Sequence, residues 1–317
     1  MHAYYCHHFV LPLPPEHRFP MAKYRLLYER VQASADALGI RLHEPPAAEL
    51  DDLLRVHCPD YVARMLGGRA EEREMRRIGF PWSPQMVERS RRSAGGTIHA
   101  LKQAIVTGGV AANLAGGTHH AAFDRGGGYC VFNDAVIAAR HVRHHGLARK
   151  VLLVDLDVHH GDGSAALCAA DPGIFTFSMH AEKNYPALKP PSDYDVALAS
   201  GTGDEAYLQA LDWHLPLVLS LAGADAAVYL AGADPYAGDR LGYLKLSKAG
   251  LAERDRRVLT ALADAGIPTA VVMAGGYAEE VEDIVDIHFA TLRQAALSAA
   301  SSVTRKLGAP GTVMGAN

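Results

Sequence analysis

The sequence is short of cysteine, of basic surplus and of long apolar runs, and each shortage excludes a class of protein. Its four cysteines, Cys6, Cys58, Cys130 and Cys168, are scattered, with no Cys-x-x-Cys pair. That spacing supports neither a disulfide framework nor a thiolate zinc site. A formal net charge of −4 argues against a general nucleic-acid binder, whose domains carry a clear basic excess. The basic clusters at 89–92 and 254–257 fall in helical patterns mixed with acids and are expected on solvated faces. No apolar run reaches membrane-spanning length and no signal-peptide pattern opens the sequence, so no membrane partner is expected and a reducing cytoplasm is the expected compartment. Internal repeats and linkers are also lacking. A single domain over residues 1–300 is therefore expected, with residues 301–317, rich in Ala, Ser and Gly, forming a frayed tail.

What is present is an ordinary globular composition, 49% hydrophobic and 21% charged, with an unusual 17 histidines. Apolar runs near 1–6, 109–115, 151–157, 174–178, 227–231 and 269–273 read as strands. Helical patterns fall near 24–38, 47–66 (interrupted at Cys58-Pro59), 85–107, 133–145, 205–221, 247–265 and 279–299. Residues 67–84, rich in Gly, Arg and Glu with Pro81 and Pro84, read as a long exposed loop bordering a substrate entrance. Strands separated by helices imply a three-layer α/β/α domain around a mainly parallel sheet. Ligands of such sheets bind beyond the carboxyl ends of the strands. Five successive strands here run into His119-His120, Asp157 and His159, Ser178 and His180, Asp234, and Tyr277.

The densest of these strand ends is Val151-Leu-Leu-Val-Asp-Leu-Asp-Val-His-His-Gly-Asp-Gly163. If the strand stays extended through it, Asp155, Asp157 and His159 lie on one side. Two carboxylates and an imidazole at a buried strand end are costly to desolvate unless a cation holds them. A strand end with otherwise satisfied polar residues is the competing reading. Catalytic zinc takes three protein ligands and an open position. Asp157 and His159 supply two, and Asp234 in Leu230-Ala-Gly-Ala-Asp-Pro235 is the best third. Oxygen and nitrogen ligands of this kind would also accept Fe(II). Asp155 and Asp162 then exceed one open zinc site and are read as groups that orient imidazoles. His119 and His120, after two glycines, are read as the acid–base pair. Tyr277, after Gly275-Gly276, is read as a donor to a developing oxyanion, and Gly126-Gly-Gly128 as a point of close backbone approach to substrate.

These strings resemble the zinc-dependent histone deacetylase family, within the arginase–deacetylase fold. The likeness rests on Gly116-Gly-Thr-His-His-Ala121, Asp155-Leu-Asp-Val-His-His-Gly-Asp-Gly163, Gly232-Ala-Asp-Pro-Tyr-Ala-Gly-Asp-Arg-Leu-Gly242 and Gly275-Gly-Tyr277. Glu16-His-Arg-Phe-Pro20 and Gly126-Gly-Gly-Tyr-Cys130 look most similar to class IV enzymes and their bacterial relatives. The resemblance implies zinc on Asp157, His159 and Asp234. It pairs His120 with Asp162 as general base and acid, and His119 with Asp155 as an electrostatic partner. It makes Tyr277 the carbonyl-polarising tyrosine, and lines the acyl tunnel with Gly128, Tyr129 and Leu241. A potassium ion is implied at Asp155, Asp157, His159, Ser178 and Met179. Two departures stand out: Tyr129 replaces the usual phenylalanine, and residues 67–84 hold no match for the rim aspartate of class I enzymes.

The expected activity is hydrolytic removal of acetyl or longer acyl groups from lysine side chains. Acetylated polyamines or other small amides are the alternative substrates. An arginase-like dimanganese enzyme would need an Asp immediately before the first catalytic His, where this chain has Thr118. A protein that binds acyl-lysine with little turnover is the non-enzymatic alternative.

Overall fold

A computed structural model describes residues 1–14 and 16–308. The chain builds β1 (His2–Tyr4), α1 (Ala22–Leu38), β2 (Arg41–His43), α2 (Leu50–Leu54), α3 (Pro59–Leu66), α4 (Glu72–Ile78), α5 (Pro84–Thr107) and β3 (Val110–Asn113). It continues through α6 (Asp134–His144), β4 (Val151–Asp155), α7 (Asp162–Cys168), β5 (Ile174–Ala181), β6 (Tyr194–Leu198), α8 (Asp204–Ala222), β7 (Ala226–Leu230), α9 (Lys248–Asp264), β8 (Thr269–Val272) and α10 (Val281–Gly308). The strands form one sheet of eight in the order β2-β1-β3-β8-β7-β4-β5-β6. Every pairing is parallel.

The central strands are buried along their whole length, as their continuous apolar runs require. Helix α5 lies across β3 and β8 and packs on α6, while α1, α10, α9 and α8 pack on one another in succession. Local signals set the helix ends. Ser83, Asn133 and Ser247 cap α5, α6 and α9 by accepting from backbone N–H groups, and Gly39, Gly108 and Gly223 close α1, α5 and α8 in the left-handed conformation.

Four sequence expectations change. Residues 67–84 are not wholly a loop: α4 forms there because the Glu74 carboxylate accepts from Glu71 N at 3.0 Å and pairs with Arg64 at 2.8 Å, while Ile78 is buried. The edge strands β2 and β6 are added, both short and partly exposed. The basic clusters are not uniformly solvated: Arg89 and Arg254 are buried. Helix α10 reaches Gly308, inside the segment read as a frayed tail, and residues 309–317 lie outside the described residues. Among the described residues the cysteines are free, and no helix is long and apolar enough to cross a membrane.

Candidate active site

Between β3 and β4 in the sheet lie β8 and β7, so the chain must jump across two positions as it passes from β3 to β4. The chain then adds β5 and β6 on one side of β4 and returns with β7 and β8 on the other, and such a reversal of strand order opens a crevice at the carboxyl edge. Four adjacent strands empty into it: β3 leads to His119 and His120, β8 to Tyr277, β7 to Asp234, and β4 to Asp157 and His159.

The turn after β3 is pinned by Asp134 at the start of α6. Its carboxylate accepts from Gly117 N at 3.1 Å, Thr118 N at 2.7 Å and Thr118 Oγ1 at 2.5 Å. Beyond β4 the expected extended run to His159 does not occur, since the strand ends at Asp155. Each aspartate instead folds onto the backbone two residues ahead. Asp155 Oδ1 accepts from Asp157 N at 3.1 Å, and Asp157 Oδ1 from His159 N at 2.9 Å. Local side-chain bonds of this kind compete with a strand ladder. The bends send Asp155 toward His119 and bring Asp157 and His159 against Asp234.

Asp157, His159 and Asp234 are buried, and their ligand atoms all lie within 4.8 Å of one another. His159 Nδ1 is 2.9 Å from Asp157 Oδ1 and 3.2 Å from Asp234 Oδ2. Asp234 Oδ1 accepts from Val158 N at 2.9 Å and Asp157 Oδ2 from Gly275 N at 2.7 Å, but Asp234 Oδ2 is buried without a hydrogen-bond donor. Burial and the neighbouring Asp157 carboxylate push Asp234 up to about 7. Burial also opposes ionisation of Asp157, yet His119 and His159 outweigh it and hold Asp157 below the usual range. Two carboxylates and an imidazole meeting at one dry point, with an orphaned oxygen, fit a divalent cation. Gly275 is required there, because a Cβ would sit 1.8 Å from Asp234 Oδ2.

Two histidine–aspartate pairs flank this trio. His119 Nδ1 lies 2.6 Å from Asp155 Oδ2, and His120 Nδ1 lies 2.6 Å from Asp162 Oδ1. Their environments differ. Burial pulls His119 down, but Asp155 and Asp157 overcome it and raise the ring to about 9. For His120, burial and then the charge of His119 dominate, lowering it to about 4 against the pull of Asp162. The two imidazoles are thus pushed in opposite directions, His119 toward its charged form and His120 toward its neutral one.

Tyr277 stands across the trio, its ring 6.3 Å from that of His159. Asp239 holds its backbone, accepting from Tyr277 N at 2.6 Å, while Arg240 Nε donates to Tyr277 O at 2.9 Å. Burial, then Asp157 and Asp234, keep its phenol well above the ordinary value, so it remains a proton donor. His120, His159 and Tyr277 form the floor of a cleft of about 550 Å³ whose walls include Gly128, Tyr129 and Leu241. The loop carrying Gly128 and Tyr129 is fixed by α4, with Gly128 N donating to Arg77 O at 3.1 Å and Tyr129 N to Ile78 O at 2.7 Å. Of the residues expected from the sequence to hold potassium, Asp155 and Ser178 are register partners on β4 and β5, and Met179 follows on β5.

Several supporting residues carry no sequence signal. Tyr185, on the loop after β5, lines the cleft and stacks edge-on over His120 at 4.9 Å. Lys23 is buried below the tyrosine, its Nζ 3.2 Å from Gly276 O and 5.3 Å from the centre of the Tyr277 ring. Arg254 donates from Nη1 to Gly232 O at 2.7 Å and Leu156 O at 3.3 Å, tying together the segments that carry Asp234 and Asp157. Asp255, which accepts from Arg254 Nε at 2.8 Å and from Tyr229 Oη at 2.5 Å, holds that guanidinium.

The chain is similar to known proteins over the same region. It is 44% identical over 280 residues to an uncharacterized protein of Picosynechococcus sp., covering 88% of this chain and 93% of that one. It is 30% identical to histone deacetylase 2 of Arabidopsis thaliana across 74% of this chain and 62% of the plant protein. A probable deacetylase of Methanothermobacter thermautotrophicus is 28% identical over 77% of this chain and 76% of its own length. The crystal structure of the HDA15 HD domain superposes with a TM-score of 0.77, covering 97% of this chain and 95% of that one at 21% identity, so the fold is shared. The histone deacetylase domain matches residues 17–292. That span contains both histidine–aspartate pairs, the buried trio and Tyr277, and by it the chain belongs to the histone deacetylase family.

Proposed function

We propose that this protein is a zinc-dependent amidohydrolase that removes acetyl or longer acyl groups from lysine side chains. The observation that carries the reading is the convergence of Asp157 and Asp234 on His159, which with His120 and Tyr277 lines the floor of one cleft. When bound by that trio, zinc supplies Lewis acidity toward water and an amide carbonyl; Fe(II) suits the same ligands.

The remaining roles belong to the chain. His120, neutral and fixed at Nδ1 by Asp162, presents Nε2 to take a proton from the attacking water and return it to the departing amine. His119, charged and held by Asp155, steadies negative charge beside it. The Tyr277 hydroxyl donates to the carbonyl oxygen as charge develops there. Gly128, Tyr129 and Leu241 flank the lysine stem. Gly128 is a glycine of necessity: its φ is +53°, and a Cβ would come within 2.5 Å of the His120 ring. Potassium would be held by Asp155, Asp157, His159, Ser178 and Met179, and one deacetylase domain would span residues 1–300.

The relatives named as deacetylases support the reaction class. The test is a series of lysine peptides of increasing acyl length, with acetylated polyamines alongside, assayed on zinc-loaded protein. Turnover of acyl-lysine peptides supports the reading. Turnover of polyamines alone transfers the protein to small-amide chemistry, and binding without turnover overturns hydrolysis.

A further inference from the structure

The entrance of the cleft has a sign of its own. Although the whole chain is net acidic at −4, the cleft wall includes Arg76 and Arg77 and, among the described residues, no aspartate or glutamate. Arg76 is occupied by Glu72 at 2.5 Å. Arg77 is exposed and among the described residues forms no direct ion pair, its charge being felt by Glu74, which Arg64 holds. A Cβ built on Gly127 would meet Tyr185 Oη at 3.4 Å and Arg77 Cγ at 3.6 Å, so the Arg77 stem and the Tyr185 hydroxyl border the same point of the entrance. The charges of Arg18 and Arg240 reach Tyr129 on the cleft wall, and Arg240 donates from its guanidinium to the carbonyls of Tyr277 and Arg18. Lys189 donates to the carbonyls of Asn184 and Pro186, on the loop bearing Tyr185, while the carboxylates of Asp162 and Glu182 act on its charge.

Cations whose hydrogen bonds go to carbonyls keep their charge available to a ligand. A cleft lined by one sign also concentrates ligands of the other. We propose that the entrance selects acyl-lysine whose neighbouring residues are acidic, with Arg77 as the principal contact beside the Tyr185 and Tyr243 rims, and rejects cationic substrates such as acetylated polyamines and basic tails. This rests on the deacylase reading and adds the substrate's charge class to it.

The experiment compares kcat/KM of the zinc-loaded enzyme on three acetyl-lysine peptides, flanked by Glu, Gln or Arg, with free acetyl-lysine and an acetylated polyamine as further arms. The Glu-flanked peptide should exceed the Arg-flanked one by about fivefold at low salt, the scale of one or two exposed ion pairs, mainly through KM. The gap should narrow in ~0.5 M salt, where exposed charges are screened. Arg77→Glu should reverse the order of the Glu- and Arg-flanked peptides, and Arg77→Gln should level it. Equal rates for all flanks, preference for Arg flanks, or fastest turnover of the polyamine would overturn the charge preference while leaving hydrolysis intact. Faster turnover of free acetyl-lysine than of any peptide would overturn the peptide as substrate. Failure of every acylated amine to react would sink the deacylase reading itself.

Discussion

The floor of the cleft and its entrance treat charge in opposite ways. On the floor, His119, His120, Asp155 and Asp162 pair with one another within 2.6 Å, and Asp157, His159 and Asp234 converge on a single point. At the entrance, Arg77, Arg18 and Arg240 form no direct ion pair with a carboxylate among the described residues, and Arg240 donates to carbonyls instead. Charges that satisfy one another inside a protein are pre-oriented for chemistry and yield little to a passing ion. Charges left unpaired in water select what arrives, and salt weakens them. Substitutions on the floor should therefore act on turnover or metal content, and those at the entrance on substrate preference.

The largest effect belongs to Asp234→Ala, which removes a ligand and leaves Asp157 and His159 unable to hold a cation alone. Bound metal, measured by elemental analysis, should fall to background together with activity. Two manganese ions per chain in the native protein would contradict the single trio. His120→Ala should retain its metal and lose at least ~10²-fold in kcat/KM, the scale of general acid–base catalysis. Asp162→Asn acts on the same ring, so the double variant should be scarcely worse than His120→Ala. His119→Ala should be milder, and equal, independent losses from all three would refute the division of roles.

Tyr277→Phe should lower kcat by ~10²–10³-fold with metal content unchanged, since its hydroxyl acts on charge formed in the transition state. An undiminished kcat would reduce the tyrosine to packing. Lys23→Met should be smaller, about tenfold in kcat, because the buried ammonium holds the Gly276 carbonyl rather than substrate. Unchanged kinetics with a lowered melting temperature would make Lys23 purely structural. Arg77 comes last, with severalfold changes confined to charged substrates.

What could be read from the sequence divides along similar lines. The central strands announce themselves because burial on both faces demands unbroken apolar runs such as Val151 to Val154. The edge strands β2 and β6, short and partly exposed, carry no such demand and leave no comparable signal. The trio was legible because ionisable residues at a buried strand end are costly without a purpose. Even so, it is assembled by Asx-type bends at Asp155 and Asp157 rather than by strand alternation. Arg254 differs from the sequence expectation because an arginine among acids on a helix looks the same whether it faces water or the sheet. Its burial is decided by Leu156 and Gly232, 98 and 22 residues away along the chain. Tyr185 and Lys23 reach the site from loops and helices distant in sequence, with no local pattern to mark them.

The Arg254 latch has a consequence for how the metal would come and go. The guanidinium holds the carbonyls of Leu156 and Gly232 together through its own hydrogen bonds. The two chain segments bearing the ligands are thus already drawn together by the protein, unlike small metal domains whose folding waits on the cation. Chelation should then abolish activity while leaving the far-ultraviolet circular dichroism unchanged, and added zinc should restore turnover at the speed of diffusion and dehydration rather than of refolding. The protein would behave as a finished socket, and its metal as an exchangeable part.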